Sequence, residues 1–168
     1  VYTLSDPVRL SVAPNTYAQE IIRRKNLGLN RYGKTTAILK ARTFGTRCSV
    51  CWDTTLYRRT QEDCTNCYDT GWTGGYFTPI TAKAVISPVT EETQITPFGE
   101  WHVGNSLLTL GNYPVLNNKD VIVDLQNRRF RVEQVIPTEF GNALIAQRAR
   151  ISYIDKDDIV YTYPITEL

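Results

Sequence analysis

The stretch Asp120-Val121-Ile122-Val123-Asp124-Leu125-Gln126-Asn127-Arg128-Arg129-Phe130-Arg131-Val132-Glu133-Gln134-Val135-Ile136 decides the fold class. Val121, Val123 and Leu125 alternate with Ile122 and Asp124. Beyond a Gln126-Asn127 turn, Phe130 and Val132 alternate with Arg129, Arg131 and Glu133. Successive side chains of a strand point to opposite faces, so a period of two with one charged face reads as a half-buried antiparallel hairpin.

Working outward, short strands recur at about 93–96, 100–103, 106–110, 120–125, 128–137, 142–154 and 159–164. Turn residues separate them at Gly99, Gly104-Asn105, Gly111-Asn112, Asn117-Asn118 and Gly141-Asn142. In 142–154, Ile145, Ala149, Ile151 and Tyr153 share one face, and Arg148, Arg150 and Ser152 the other. Many short strands at this pace predict a mainly β chain, a small antiparallel barrel or sandwich. A further strand is expected over 36–44. Pro79 and Pro88 limit the text from Tyr76 to Ile86 to short or edge strands.

One helix is expected, about 16–27. Asn15 serves as N-cap, Tyr17, Ile21 and Ile22 lie on one side, Arg23, Arg24 and Lys25 stand near the end, and Gly28 closes it. Residues 1–14, with Pro7 and Pro14, read as extended.

All four cysteines of the chain fall in two pairs, Cys48-Ser49-Val50-Cys51 and Cys64-Thr65-Asn66-Cys67. Two C-x-x-C turns at this spacing bring four thiolates to the corners of one tetrahedron, which a structural zinc ion takes. Cys48, Cys51, Cys64 and Cys67 are therefore the expected ligands of one ion. Iron fits the same sulfurs. Two disulfides and a redox C-x-x-C are the remaining readings. Trp52 is placed to pack over the site. Gly71 suits a turn that aims backbone N–H groups at sulfur. Four protein ligands leave no position for water or substrate, so such an ion holds structure and does no chemistry.

The chain divides into an N-terminal arm, helix and first strand (1–44), a zinc-ribbon module (45–80) and a β-barrel domain (81–168). Residues 1–47 hold nine Lys and Arg against two Asp and Glu, whereas the remainder holds ten against fifteen. A basic arm on an acidic body points to an acidic partner, a protein or a nucleic acid; the plainer reading is a solvated helix face with scattered loop charges. No run of eighteen apolar residues is present, so no membrane-spanning helix is expected.

Catalysis finds little footing. The one histidine, His102, sits between apolar neighbours. Gly71-Trp72-Thr73-Gly74-Gly75 lacks the lysine of a phosphate loop. Asp155, Asp157 and Asp158 are spaced like a solvated turn and lack the glycine of a calcium loop. The chain is not expected to be an enzyme.

The run Gly45-Thr46-Arg47-Cys48-Ser49-Val50-Cys51-Trp52-Asp53, continued by Cys64-Thr65-Asn66-Cys67-Tyr68-Asp69-Thr70-Gly71-Trp72-Thr73-Gly74-Gly75-Tyr76-Phe77-Thr78-Pro79-Ile80, resembles a zinc-ribbon insert of tailed-bacteriophage virion proteins. Asp120–Asp124 with Arg129–Val135 resembles the barrel hairpin of phage head-closure, or head-to-tail connector, proteins. The resemblance implies a ring of identical copies at the neck of the virion. That ring would close the DNA-filled head and dock the tail through contacts with the portal or adaptor protein and with tail proteins. Contact with packaged DNA would be incidental, and no membrane is involved. It further implies connecting arms in residues 1–14 and 87–119 and, on the ribbon, Tyr57, Trp72 and Tyr76 as docking residues, unless these pack on the knuckle or barrel.

Two competing readings remain. A nucleic-acid-binding zinc ribbon would use the basic N-terminal region, with Tyr57-Arg58-Arg59 as its aromatic and basic element. A chaperone-like module is suggested by Cys64-Thr65-Asn66-Cys67-Tyr68-Asp69-Thr70-Gly71, which is similar to a C-x-x-C-x-G-x-G repeat but has Asp69 at the first glycine and no tandem array.

Overall fold

The computed structural model describes residues 15–88, 92–96, 99–103 and 105–165. The expected arm at 1–14 lies outside them. The elements run α1 (Thr16–Tyr32), β1 (Lys34–Leu39), β2 (Trp52–Asp53), β3 (Arg58–Arg59), β4 (Ile80–Pro88), β5 (Glu92–Thr96), β6 (Gly99–Val103), β7 (Asn105–Leu110), β8 (Val121–Asp124), β9 (Arg129–Phe140) and β10 (Ala143–Tyr153), then a 3-10 turn at Ile159–Thr162.

Six strands close into an antiparallel barrel in the order β1-β4-β7-β10-β9-β8, and the β1–β8 pair seals it. Closure leaves no barrel strand with an unpaired edge. Ile38, Leu108, Ile122, Phe130, Val132 and Ile151 fill the interior, and Leu116 plugs it from the β7–β8 connection. The predicted class, a mainly β antiparallel barrel with one helix near the N-terminus, is the one observed. The barrel includes β1, so its polypeptide is discontinuous, and the cysteine module is inserted between β1 and β4. The tract 87–119, implied as a connecting arm, is in part barrel: β7 is one of its strands and Leu116 lies in its core.

The deciding hairpin forms, with Val121 opposite Arg131 and Val123 opposite Arg129. It is not half-buried. All four residues of β8 are buried, because Ile122 faces the interior while Val121 and Val123 pack outward under Tyr76, Ile154 and Val160. Leu125, expected on the apolar face, is exposed in the turn. The turn spans three residues, not two: Asn127 N–H donates to Asp124 O (3.0 Å) and Asn127 itself takes a positive φ of 57°. This is the type I turn with a left-handed third residue that joins twisted strands.

Arg129, expected on a charged face, is 3 % exposed. The C-terminal segment covers it: its guanidinium donates to Val160 O and, at 3.1 Å, to Tyr163 O, and its backbone N–H donates to Tyr161 Oη at 3.1 Å. The expected strand at 159–164 is instead a 3-10 turn. Asp158 caps it, accepting Val160 N–H at 2.8 Å, and only Val160 of the turn is buried. Capping and the pull of Arg129 on two carbonyls override the strand preference of Ile-Val-Tyr-Thr-Tyr.

Asn15 caps α1 as expected, accepting from Tyr17 and Ala18 N–H at 3.1 and 3.2 Å. The helix runs through Gly28 and stops at Gly33, a turn later than expected. A Cβ on Gly33 would meet Leu29 O at 2.4 Å and the backbone of Ala84 at 3.3 Å, so close passage onto β4 fixes a glycine there. Nothing crowds Gly28. Ala18, Ile21 and Ile22 pack on Ile145 and Ala146, whereas Tyr17, in the first turn, is exposed. Among the described residues no helix is long and apolar enough to cross a membrane.

Candidate metal centre

The ribbon rises from the barrel on two antiparallel strands of backbone. Arg42 N–H donates to Gly75 O (2.9 Å) and Phe77 N–H to Lys40 O (2.9 Å), with Ala41 bridged to Tyr76. Asp120 fastens this stalk. Its carboxylate is fully buried and accepts from Ala41 N–H (3.0 Å), from Asn117 N–H (2.7 Å) and from Lys40 Nζ. Above the stalk, Arg47 bridges Trp72, and Cys48 N–H donates to Gly71 O at 3.1 Å.

Cys48, Cys51, Cys64 and Cys67 meet as expected. All four are buried, none is disulfide-bonded, and their sulfurs lie within 4.8 Å of one another. Cys48 Sγ is 3.7 Å from Cys64 Sγ, and Cys51 Sγ is 3.2 Å from Cys67 Sγ. A tetrahedron with metal–sulfur bonds of ~2.3 Å has edges of ~3.8 Å, so the cage fits one tetrahedral ion.

The surroundings favour thiolates at selected sulfurs. Burial works against the Cys48 thiolate, but the backbone N–H groups of Cys51 and Val50, together with hydrogen bonds from the Cys51 and Cys64 side chains, outweigh it and hold its pKa down at about 6. Asn66 Nδ2 adds a donor to Cys48 Sγ at 3.5 Å. Burial pushes Cys51 well up, reinforced by the sulfur of Cys67. Burial also raises Cys67, although the N–H of Gly71 points at its sulfur, as the sequence predicted. Sulfurs this close resist joint ionisation until a cation sits among them, so metal binding releases protons.

The second knuckle is a chain of left-handed residues: φ is 46° at Tyr68, 62° at Asp69, 79° at Gly71 and 67° at Gly75. Asp69 tolerates this because its carboxylate accepts Cys64 N–H at 3.2 Å and pairs with Arg59 at 3.0 Å. A Cβ on Gly75 would strike Cys67 O at 2.8 Å, which excludes other residues. Trp52 packs on the cage as expected. The guanidinium of Arg47 lies between two indoles, 3.8 Å from the Trp52 ring and 3.7 Å from that of Trp72.

Of the three implied docking residues, Tyr57 is 80 % exposed, Trp72 is partly covered by Arg47, and Tyr76 is only 4 % exposed. Tyr76 packs instead with Tyr68 and Tyr163, joining ribbon, barrel and C-terminal segment. Val50 and Leu56 are exposed on the ribbon, Leu56 next to Tyr57 in sequence, and sequence reading did not single them out. His102 lies in β6 opposite Thr93. Asp158 caps the 3-10 turn and pairs with Arg131 at 3.3 Å. Sequence reading also missed Asp120, and it missed buried Gln147, which bonds Gly111 O, Pro114 O and Leu116 N–H and so holds the core plug.

No family model matches this chain, and no curated protein matches it in sequence.

Proposed function

We propose that this protein is a structural, non-catalytic component of a tailed-phage virion. Copies of it form a ring at the head–tail neck, which closes the head and docks the tail by contacts with portal or adaptor and tail proteins. The observation that carries this reading is the buried four-thiol cage. It uses every cysteine, leaves no coordination position for a substrate, and stiffens a lobe standing off a closed barrel. The likeness of the cysteine run to a zinc-ribbon insert of tailed-phage virion proteins, and of the barrel hairpin to that of connector proteins, supports the location. The ion is zinc: an all-thiolate tetrahedron suits it, and its lack of redox chemistry suits a structural lobe. Contact with packaged DNA is incidental.

A nucleic-acid role is the alternative, and it draws on the basic residues of 1–47. Several of these are engaged within the molecule. Arg23 and Arg24 share Glu20, Arg42 donates to Tyr76 O at 3.0 Å, and Arg47 is held between indoles. Electron microscopy of purified particles, with antibody-labelled chain, is expected to place it at the neck; its absence from the particle would overturn the proposal. DNA binding that falls linearly with the logarithm of salt concentration would favour the alternative. Elemental analysis of natively purified protein is expected to find one zinc per chain, and iron would correct the metal.

A further inference from the structure

We infer that copies of this chain associate head to tail, the β5–β6 hairpin of one lying in the groove between α1 and the barrel of the next. The groove has a volume of about 330 Å³. Leu29, Val85 and Leu110 give it apolar lining, and Lys25, Tyr32 and Arg148 line it as well. Arg24 pairs with Glu20 at 2.7 Å, a carboxylate it shares with Arg23, whereas Lys25 and Arg148 make no ion pair among the described residues. Among the described residues no carboxylate lines the groove. An apolar lining with two cations that pair with no described carboxylate selects an acidic segment that also carries apolar side chains.

The chain contains such a segment. β5 and β6 hold Glu92 and Glu100 but no Lys or Arg, together with Ile95, Trp101 and Val103. They pair with each other and join no barrel strand. A lone two-stranded hairpin is marginal in water, so it needs a surface to lie against. The hairpin is inserted beyond the Pro88–Ser106 pair, and the groove takes Val85 and Thr109 from further back along the same two strands. An occupant from the same chain would leave the wild type monomeric, which the assembly test below distinguishes.

Donor hairpin and acceptor groove are different surfaces, so the contact is heterologous and generates a ring when its rotation closes. This inference deepens the ring reading and rests on it. Solution assembly tests the contact and particle imaging tests the virion role, so either can fail alone.

The test is sedimentation velocity on the purified chain over a concentration series. The wild type is expected to form concentration-dependent oligomers. A groove variant, Lys25→Glu with Arg148→Glu, and a hairpin variant, Glu92→Lys with Glu100→Lys, are each expected to weaken assembly at least ~10-fold. Mixing the two variants is expected to restore it, because each surface then meets its complement. Circular dichroism checks that both remain folded, and the milder Lys25→Gln with Arg148→Gln substitutes if the groove reversal does not. Any one of three results would overturn the inference: a wild type monomeric at every concentration, variants that assemble like wild type, or folded variants that fail to rescue one another.

Discussion

Barrel and ribbon belong to one chain and are held together by opposite means. In the barrel, ten buried residues from all six strands and the β7–β8 connection make one apolar interior, and a second cluster covers the outer face of β1 and β8. In the ribbon, from Ala41 to Gly74, the only buried side chains are the four cysteines. Apolar burial at ~25 cal/mol per Å² organises the first region. It has almost nothing to act on in the second, where left-handed knuckles and short two-residue strands are costly to order. The difference teaches that the barrel is organised by its own apolar core, whereas the ribbon has no such core and offers in its place a four-thiol cage able to hold one metal ion.

The largest expected effect follows directly. Structural zinc supplies about 10–16 kcal/mol to small thiolate modules. Chelation, or Cys64→Ser, is expected to abolish amide protection over residues 43–74 in hydrogen exchange while the barrel strands keep theirs. Uniform loss of protection would break the comparison and make ribbon and barrel one cooperative unit. The seam to watch is Tyr68, Tyr76 and Tyr163, with ring centroids of Tyr68 and Tyr163 5.0 Å apart. Loosening of the C-terminal segment beyond Ile154 would measure how far loss of the ion propagates.

Asp120→Ala comes next. Its carboxylate is buried at the stalk and holds two backbone N–H groups and Lys40. Breaking a buried ion pair by removing one partner costs about 3–5 kcal/mol. The denaturation midpoint of the barrel is expected to fall while the metal content stays at one ion per chain. Loss of the ion would show that the stalk, and not the cage alone, maintains the ribbon.

What the sequence revealed divides along the same line. The cysteine set, the Asn15 cap and the antiparallel hairpin were readable because each is local: spacing, a cap residue, a period of two. Arg129, Asp120 and Gln147 were not. Their burial comes from segments distant in the chain, 154–163 over Arg129, Lys40 and Ala41 over Asp120, and the 111–116 loop over Gln147. Alternation says which residues share a face but not what later covers it. For the same reason the sequence points to Gly28 as the helix end. The residue that ends the helix, Gly33, is fixed by the close passage of Leu29 and β4.

A third prediction concerns pH. Cys48 is held at about 6, below the ordinary thiol value, by the hydrogen bonds that outweigh its burial, so it is ionised at neutral pH and protonated as pH falls through 6. Cys51 and Cys67 are raised, so the ion must displace their protons at any physiological pH. Affinity therefore falls with falling pH, about tenfold per unit for each proton displaced, and the slope steepens by one proton below pH 6. Competition with a colorimetric chelator between pH 5 and 8 reads this slope. Barrel stability, followed by tryptophan-independent amide exchange, is expected to change far less over the same range. A slope that does not steepen below pH 6 would show that the hydrogen bonds to Cys48 do not hold its thiolate as described.

The smallest effect sharpens the comparison at its outer end. Tyr57 is 80 % exposed on the ribbon, with a φ of 50°. Tyr57→Ala removes no buried contact, and surface changes of this kind stay within about 0.5 kcal/mol. A β-carbon remains, so the left-handed strain is unrelieved, whereas Tyr57→Gly would relieve it and is expected to be the more stable of the two. Metal content and thermal midpoint of Tyr57→Ala are thus expected to match the wild type, while docking to the proposed virion partner is expected to weaken. If both stability and docking are unchanged, Tyr57 is not a contact residue, and the ribbon engages its partner through another face such as Val50 and Leu56. If stability falls instead, the ribbon has apolar support that its burial pattern does not show, and the ion is not its sole organiser.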